Sequence, residues 1–581
     1  MGFCYNCGIH LDEDDRFCPE CGAQQKDVAI QSVVTKDAEA TERVYAYLFT
    51  NLKLLAYKLG MSVKELYSVL DEYIVMRGLC GVSYELLDAS GYQASLSMNQ
   101  GFLGSQEKLD PSDGWEAHQR FIMNRYFSDA QQGKIVEHLF IIGSDDIIPM
   151  PAVGRHSDDG TPFFTDFPYA YLYGDKTETL INDGIIYQQV QHLCVGRLPL
   201  PDDVTSEMLL VYMRNVQDVS SFGLDFSTVY GQCDPHWKRV TGSLTRELRN
   251  MGWFLNYDLP EEYCFRSLLL SPMVTSSNVD EVFNINSCIY LFNMHGDNHP
   301  GNNDYYGKSI AQPEQESITF SGITPRQFRS ILHPNVVVSE ACYGAKPNHR
   351  KHNESILLSS LTTKTVLFFG STNIAWGCND MKMPDGTYCE EPPLGCADVF
   401  ARSVIYGLLN GCVSGEVLSL ARWSVFQECG FRPQVIDTVL EFNLFGDPTL
   451  LLESDSQRKT LNAKVLPRYQ MPMHWDVNRK MLFSTKKEVR MKVTEVYAQC
   501  GNSILSKVRT AVNRSVMDVN KVISEHLYKY YNLSPRRLER VLRVDYTQGE
   551  SIYQYCYGDD SIKYVVTTDR NHRVKSVEIS K

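Results

Sequence analysis

Between Cys288 and Gly344 the chain carries two short apolar runs, each ending in a reactive side chain beside a glycine. The first reads Cys288-Ile-Tyr-Leu-Phe-Asn-Met-His295-Gly296, the second Asn335-Val-Val-Val-Ser-Glu340-Ala341-Cys342-Tyr343-Gly344. Such runs, rich in β-branched and aromatic residues, are the pattern of strands buried on both faces. Comparable runs stand at His138–Ile142, His192–Val195, Phe226–Tyr230 and Thr365–Phe369. Helical periodicity lies between several of them, as at Trp237–Met251 and Pro325–Leu332, and follows the last at Cys396–Leu409 and Glu416–Glu428. Strands alternating with helices predict an α/β fold with a mostly parallel sheet flanked by helices. In such sheets ligands bind beyond the carboxyl ends of the strands, so His295 and Cys342 are expected to face one cleft.

That pairing has chemical content. A cysteine is a nucleophile only as its thiolate, and a histidine nearby supplies the base or the positive field that forms it. His295 precedes Cys342 by 47 positions.

A chain of 581 residues exceeds the roughly 250–300 that one core usually serves, so several domains are expected. We divide it into residues 1–22, a linker at 23–40, a helical connector at 41–130, a first α/β subdomain at 131–225, a catalytic subdomain at 226–453 and a C-terminal α+β domain at 454–581. No run approaches the roughly 18 apolar residues of a membrane span, so no membrane partner is expected. Seventeen cysteines, an odd number, and an N-terminus without a secretory pattern point to a reducing compartment, and a cytoplasmic location is expected. The net charge of −14 is unevenly spread. From Asp455 onward 24 Lys and Arg face 13 Asp and Glu, a net of +11, which leaves −25 on the rest. A basic region on an acidic body can contact nucleic acid or an acidic partner, or dock on the body itself.

Cys4-x-x-Cys7-Gly and Cys18-Pro-Glu-Cys21-Gly, ten residues apart, supply four thiolates at the spacing of a closed tetrahedral zinc site. The segment resembles a zinc ribbon. One structural Zn2+ per chain, held by Cys4, Cys7, Cys18 and Cys21, is expected to fold it, and catalysis needs no metal. In the connector, Val44, Tyr47, Leu48, Leu52 and Leu55 recur at helical spacing, and Ser62 with Glu65 predicts a capping box for a second helix. Tyr553–Tyr557 and Ile562–Val566, separated by Gly-Asp-Asp-Ser, predict a hairpin.

With these segments placed, residues 135–452 resemble the gingipain-type cysteine peptidases of the caspase-like clan. The likeness is carried by Cys194-Val-Gly-Arg-Leu-Pro199, Met294-His295-Gly296, Glu340-Ala341-Cys342 and Leu444-Phe-Gly-Asp-Pro-Thr-Leu450, with Ile141-Ile-Gly-Ser-Asp-Asp146 fitting the same pattern. Glu340-Ala-Cys-Tyr-Gly344 also shares the frame of the caspase Gln-Ala-Cys-x-Gly segment, whose histidine lies about 50 residues upstream. The resemblance implies a caspase-like sandwich that cleaves peptide bonds, with Cys342 as nucleophile and His295 protonating the leaving amine. It further implies an oxyanion hole from the N–H groups of Gly296 and Cys342, and an acidic residue after the third strand, for which Asp234 is the nearest match. Glu340 shares the side-chain parity of Cys342 and is expected to point to the cleft. The resemblance implies that, as in those relatives across the clan that place an acid there, it lies at the floor of the pocket for the residue before the scissile bond. Trp376 and Ser371, in Ser371-Thr-Asn-Ile-Ala-Trp376, match positions that wall that pocket, and a carboxylate floor with an aromatic wall suits Arg or Lys. The polar stretch Asn348-His-Arg350-Lys351-His-Asn353 is expected to be exposed and open to self-cleavage.

The function that follows is an intracellular cysteine endopeptidase acting on protein substrates, regulated by self-cleavage or by a protein partner at the zinc ribbon or C-terminal domain. The rival is a catalytically silent scaffold of the same fold, its ribbon and basic domain binding protein or nucleic acid.

Overall fold

The computed structural model describes residues 44–91, 108–183, 191–224, 228–246, 288–298, 303–308, 319–331, 334–383, 385–452, 510–531, 537–546, 549–558 and 563–580, with isolated residues and short strands elsewhere. The chain divides into two units, Met1–Arg43 and Val44–Lys581. In the first unit Gly2–Phe3 pairs antiparallel with His10–Leu11. Cys4, Cys7, Cys18, Cys21 and the linker lie outside the described residues.

The second unit is built on an eleven-stranded sheet. Its strands are β1 (Val44–Thr50), β2 (Val82–Asp88), β3 (His138–Ile142), β4 (Cys194–Leu198), β5 (Thr228–Cys233), β6 (Phe254–Leu255), β7 (Leu269–Leu270), β8 (Ile289–Asn293), β9 (Val336–Ser339), β10 (Leu367–Ser371) and β11 (Phe442–Gly446). They lie in the order β6-β5-β8-β9-β10-β11-β4-β3-β1-β2, with β7 beside β5. All pairs are parallel except β10 with β11. Every residue of β3, β8 and β9 is buried, which is why these runs show no alternation. The class is α/β, a mostly parallel sheet flanked by helices.

Residues 41–130 do not form a helical connector. Val44–Thr50 is β1 and Val82–Asp88 is β2, one parallel pair at the edge of the sheet. The misleading signal is physical: in a strand buried on both sides any subset of apolar residues can mimic an i, i+3, i+4 series. Between them run helices α1 (Leu52–Leu59) and α2 (Val63–Leu79), and α3 (Gly114–Gln131) follows. Ser62 and Glu65 do form the reciprocal capping box of α2. The first subdomain therefore begins near residue 44 rather than 131.

The motifs Cys194–Pro199 and Leu444–Leu450 meet at the centre of the sheet, where β4 pairs with β11. A Cβ on Gly196 would stand 2.3 Å from the carbonyl oxygen of Gly446, so glycine is needed for that approach. Arg197 is fully buried and grips Asp166 through two nitrogens at 2.8 and 2.6 Å, while its remaining donors reach the carbonyls of Gly143, Ile148 and Pro149. Asp447 accepts hydrogen bonds from Tyr84 at 2.6 Å, from Tyr73, and from the N–H of Thr449 at 2.8 Å, beside Arg77 Nε at 3.2 Å. Both carboxylates are thus paired and hydrogen-bonded, as buried charges must be.

The C-terminal residues are not a detached module. Strands β12 (Met491–Ala498), β13 (Leu538–Tyr546), β14 (Ser551–Gly558), β15 (Lys563–Asp569) and β16 (Val574–Ser580) form an antiparallel sheet whose sixth strand is Trp376–Gly377 of the body. Leu542, Cys556 and Val565 join the same core as the central sheet. Arg432 binds Glu578 at 2.8 Å in a buried pair, and Lys563 and Arg540 both reach Asp158. Part of the basic excess is therefore spent inside the unit.

Candidate active site

Strands β5, β8 and β9 are consecutive and parallel, with Ile289 opposite both Val229 and Val336. Counting onward in register, His295 and Cys342 each lie six residues past that first pair, and Asp234 emerges one strand over. Three chemically distinct side chains are thereby delivered to one edge of the sheet, where open α/β sheets bind their ligands.

His295 starts a two-residue strand paired to Tyr305–Lys308. Its ring is stacked on Tyr306, with centroids 5.2 Å apart and planes at 18°, and meets Trp237 at 4.4 Å. Its Nε2 lies 3.9 Å from Asp234 Oδ2. Asp234 is fully buried; its Oδ1 accepts from the backbone N–H of His236 at 2.8 Å and lies 2.7 Å from the His236 ring. Burial opposes ionisation of this carboxyl, yet the His236 hydrogen bond and the His295 charge outweigh it and hold its pKa below the ordinary value. Asp234 can therefore stay anionic and orient the imidazole.

Gly296 seals the His loop on the Cys loop: a Cβ there would fall 2.0 Å from the carbonyl oxygen of Cys342. Cys342 is 5% exposed. Its sulfur receives the N–H of Ala375 at 3.3 Å and lies 3.8 Å from the Ala375 carbonyl. Tyr343, next in the turn, has φ of 53°, and its N–H donates to Asn373 O at 2.7 Å. Burial, then the charges of Cys342, Asp297 and Asp234, push the Tyr306 hydroxyl well up, so it stays protonated.

The expected substrate residues are placed differently. Glu340 is fully buried, with its N–H on Phe292 O at 2.8 Å. The Ser371 hydroxyl donates to Asn373 O at 2.9 Å and accepts from Asn373 N–H at 3.1 Å, so it holds a turn rather than facing a substrate. Trp376 is fully buried, bonded through Nε1 to Asp437 at 3.2 Å and stacked on His156. It is packed into the body, not exposed as a pocket wall. Arg350, expected in an exposed stretch, is 7% exposed, because its guanidinium is drawn onto Glu354 O and Asn298 Oδ1; Lys351 is exposed.

Two features had no sequence signal. Ala375 acts through its backbone, which a side chain cannot advertise. His156 from a loop and Asp437 and Glu441 from one helix, Pro433–Glu441, gather behind Trp376, with His156 Nε2 3.6 and 3.9 Å from the two carboxyls. Burial raises the pKa of both acids, Glu441 most strongly. Among the described residues no group of three or more His, Cys, Asp or Glu could hold a metal ion.

No family model matches the chain, and no curated protein matches it. Solved structures similar to it include the following three. One, described as "Structure of Protease", shares 10% identity over 93% of this chain and 97% of its own, at a TM-score of 0.43. The Arg-specific cysteine proteinase gingipain R shares 11% over 93% and 98%, also at 0.43. The complex of Porphyromonas gingivalis RgpB pro- and mature domains shares 11% over 92% and 99%, again at 0.43. At such identities and TM-scores the likeness assigns no family, and the functional reading rests on the residues themselves.

Proposed function

We propose that this protein is a cysteine endopeptidase in which Cys342 and His295 form the catalytic pair. The observation that carries the reading is the delivery of Asp234, His295 and Cys342 to the ends of three consecutive parallel strands, with Gly296 closed on the Cys342 carbonyl. In this reading the Cys342 thiolate attacks the scissile carbonyl carbon, and the oxyanion settles on the N–H groups of Gly296 and Cys342. His295, steadied by Asp234 and by its stack on Tyr306, protonates the leaving amine. Water then hydrolyses the thioester, with the imidazole taking its proton. The hydrogen bond from Ala375 N–H to the sulfur stabilises the charged nucleophile.

Preference for Arg or Lys before the scissile bond belongs to the same proposal. It rests on Glu340, a buried carboxylate two residues before the nucleophile, whose negative charge favours a cationic side chain over a neutral one. The N-terminal cysteines are proposed to hold one structural zinc, which suits a reducing compartment such as the cytoplasm and gives a surface for a regulatory protein. Metal analysis finding no zinc in protein purified without chelator would remove that part alone.

The burial of Cys342 is the observation that favours the silent-scaffold reading. A thiol-reactive peptide probe decides between them. Labelling at Cys342, lost in His295→Ala together with peptide turnover, supports the enzyme; a folded protein that neither labels nor cleaves is a scaffold.

A further inference from the structure

Four and eight residues after Cys342 in the chain stand two cations, Lys346 and Arg350, that share one neutral acceptor and have no ion-paired carboxylate among the described residues. Lys346, four residues after Cys342, places Nζ 3.2 Å from Asn298 Oδ1, and Arg350 reaches that same oxygen at 3.4 Å. Asn298 lies three residues past His295, so the two loops that carry the candidate catalytic pair also build this cluster. The two positive centres can be no further apart than those two contacts laid end to end. Arg350 is 7% exposed, and its guanidinium also donates to the backbone carbonyl of Glu354 at 3.1 Å. Lys346 is half-buried over the rings of Tyr343 at 5.6 Å and Phe164 at 5.7 Å.

Three other buried arginines are matched by acids, Arg197 by Asp166, Arg77 by Asp447 and Arg432 by Glu578, while Arg422 is buried singly on the Phe442 carbonyl, so what distinguishes Lys346 and Arg350 is that two cations share one neutral oxygen. Lys346 and Arg350 have no carboxylate within 4.0 Å among the described residues. Asp297 and Glu354 act on Arg350 only from a distance, and Glu354 is itself bonded to the Lys351 N–H. Burial pulls the pKa of both cations down, and for Lys346 the charge of Arg350 adds to it. Two like charges taken out of water and sharing one neutral oxygen are a costly arrangement that an incoming anion relieves. The Tyr343 ring beneath Lys346 belongs to the residue next to Cys342, and the Tyr343 hydroxyl senses the charge of Cys342.

We propose that Lys346, Arg350 and Asn298 form an anion-binding subsite that takes a carboxylate of the bound peptide, from an acidic side chain or from a free C-terminus. This assignment rests on the peptidase reading for its ligand, but the field that the two cations would set up at Cys342 can be measured without it. The rates at which iodoacetate and iodoacetamide alkylate Cys342 are read by mass spectrometry of the Cys342 peptide in the full chain. Their ratio cancels changes in thiol ionisation and reports the local field. Lys346→Gln is expected to lower the iodoacetate-to-iodoacetamide ratio roughly ten-fold, and Arg350→Gln to do the same, while Lys346→Arg keeps it. Should Arg350→Gln fail to fold, the half-buried Lys346 variants carry the test alone. An unchanged ratio in Lys346→Gln overturns the subsite. Where peptides are turned over, an acidic residue scanned along a basic peptide should raise kcat/KM at one position by roughly ten-fold in the wild type and not in Lys346→Gln. A gain from internal Asp or Glu names a side chain as the ligand, and a gain only from a free over an amidated terminus names the chain end. Equal turnover of acidic, neutral and amidated peptides also overturns it. Absence of turnover in every protein, with the ratio lowered as expected, leaves the subsite standing and sinks the peptidase reading instead.

Discussion

Gly296→Ala isolates the contact that joins the His loop to the Cys loop. An added Cβ would stand 2.0 Å from the Cys342 carbonyl oxygen, 3.0 Å from its carbonyl carbon and 3.1 Å from Ala341 Cβ. Two of these neighbours are backbone, so no rotamer change relieves the overlap. Non-bonded heavy atoms settle at about 3.5–4.0 Å, so one loop must move by about 1 Å or more. Overpacking of this kind costs about 1–3 kcal/mol of stability. A displacement of about 1 Å between reacting groups costs about 100-fold in rate, so kcat/KM should fall by about two orders of magnitude or more. The assay pairs peptide turnover with a urea midpoint, so that lost fold and lost geometry are read separately. Gly78→Ala is the control: it lies within α2, a Cβ there meets nothing within 4 Å, and alanine should be neutral or stabilising by about 0.5–1 kcal/mol. A folded Gly296→Ala protein with wild-type turnover would refute the claim that this close approach sets the catalytic geometry.

Glu340→Gln should lower kcat/KM for peptides with Arg or Lys before the scissile bond by about 10–100-fold and leave neutral peptides unchanged, since a charge-assisted hydrogen bond contributes about 1.5–3 kcal/mol; equal losses for both peptide classes would make Glu340 purely structural. Asp447→Asn strands Arg77 in the core and should cost about 3–5 kcal/mol, visible as a lower urea midpoint without a change in the Cys342 alkylation ratio. Asp380, whose carboxyl burial pushes up to about 6 although the Val240 and Arg239 N–H groups bond it, gives a pH signature. Between about pH 4 and 6 the folded state holds this proton while the unfolded chain does not, so stability falls as pH rises through that window and levels off above it. Asp380→Asn should flatten that slope; a slope identical to wild type would assign it to another group.

The strands around the site were legible because parallel strands buried on both faces leave unbroken apolar runs. His138–Ile142 and the helix Cys396–Leu409 have the same limits in the sequence and in the structure. Strand β1, paired on both sides near the edge of the sheet, was misread because its apolar residues also fit a helical period. The end of the chain read as a separate basic module because its composition differs, yet Trp376–Gly377 completes its sheet and Asp158 takes its cations. A charge count records how many cations a segment has, not which acids they meet.

What the sequence determined by itself is local: the apolar runs, the capped helix at Ser62, the glycines beside His295 and Cys342, and the four cysteines at zinc spacing. These depend on periodicity, turn chemistry and ligand spacing, all set by residues close together in the chain. Only the tertiary structure decided that Trp376 and Ser371 are spent inside the body, and that Arg350 is buried beside Lys346. It also set the Ala375 N–H against the Cys342 sulfur. Each of these depends on which strand ends are neighbours in the sheet, and that neighbourhood is fixed by long-range packing between segments far apart in the chain.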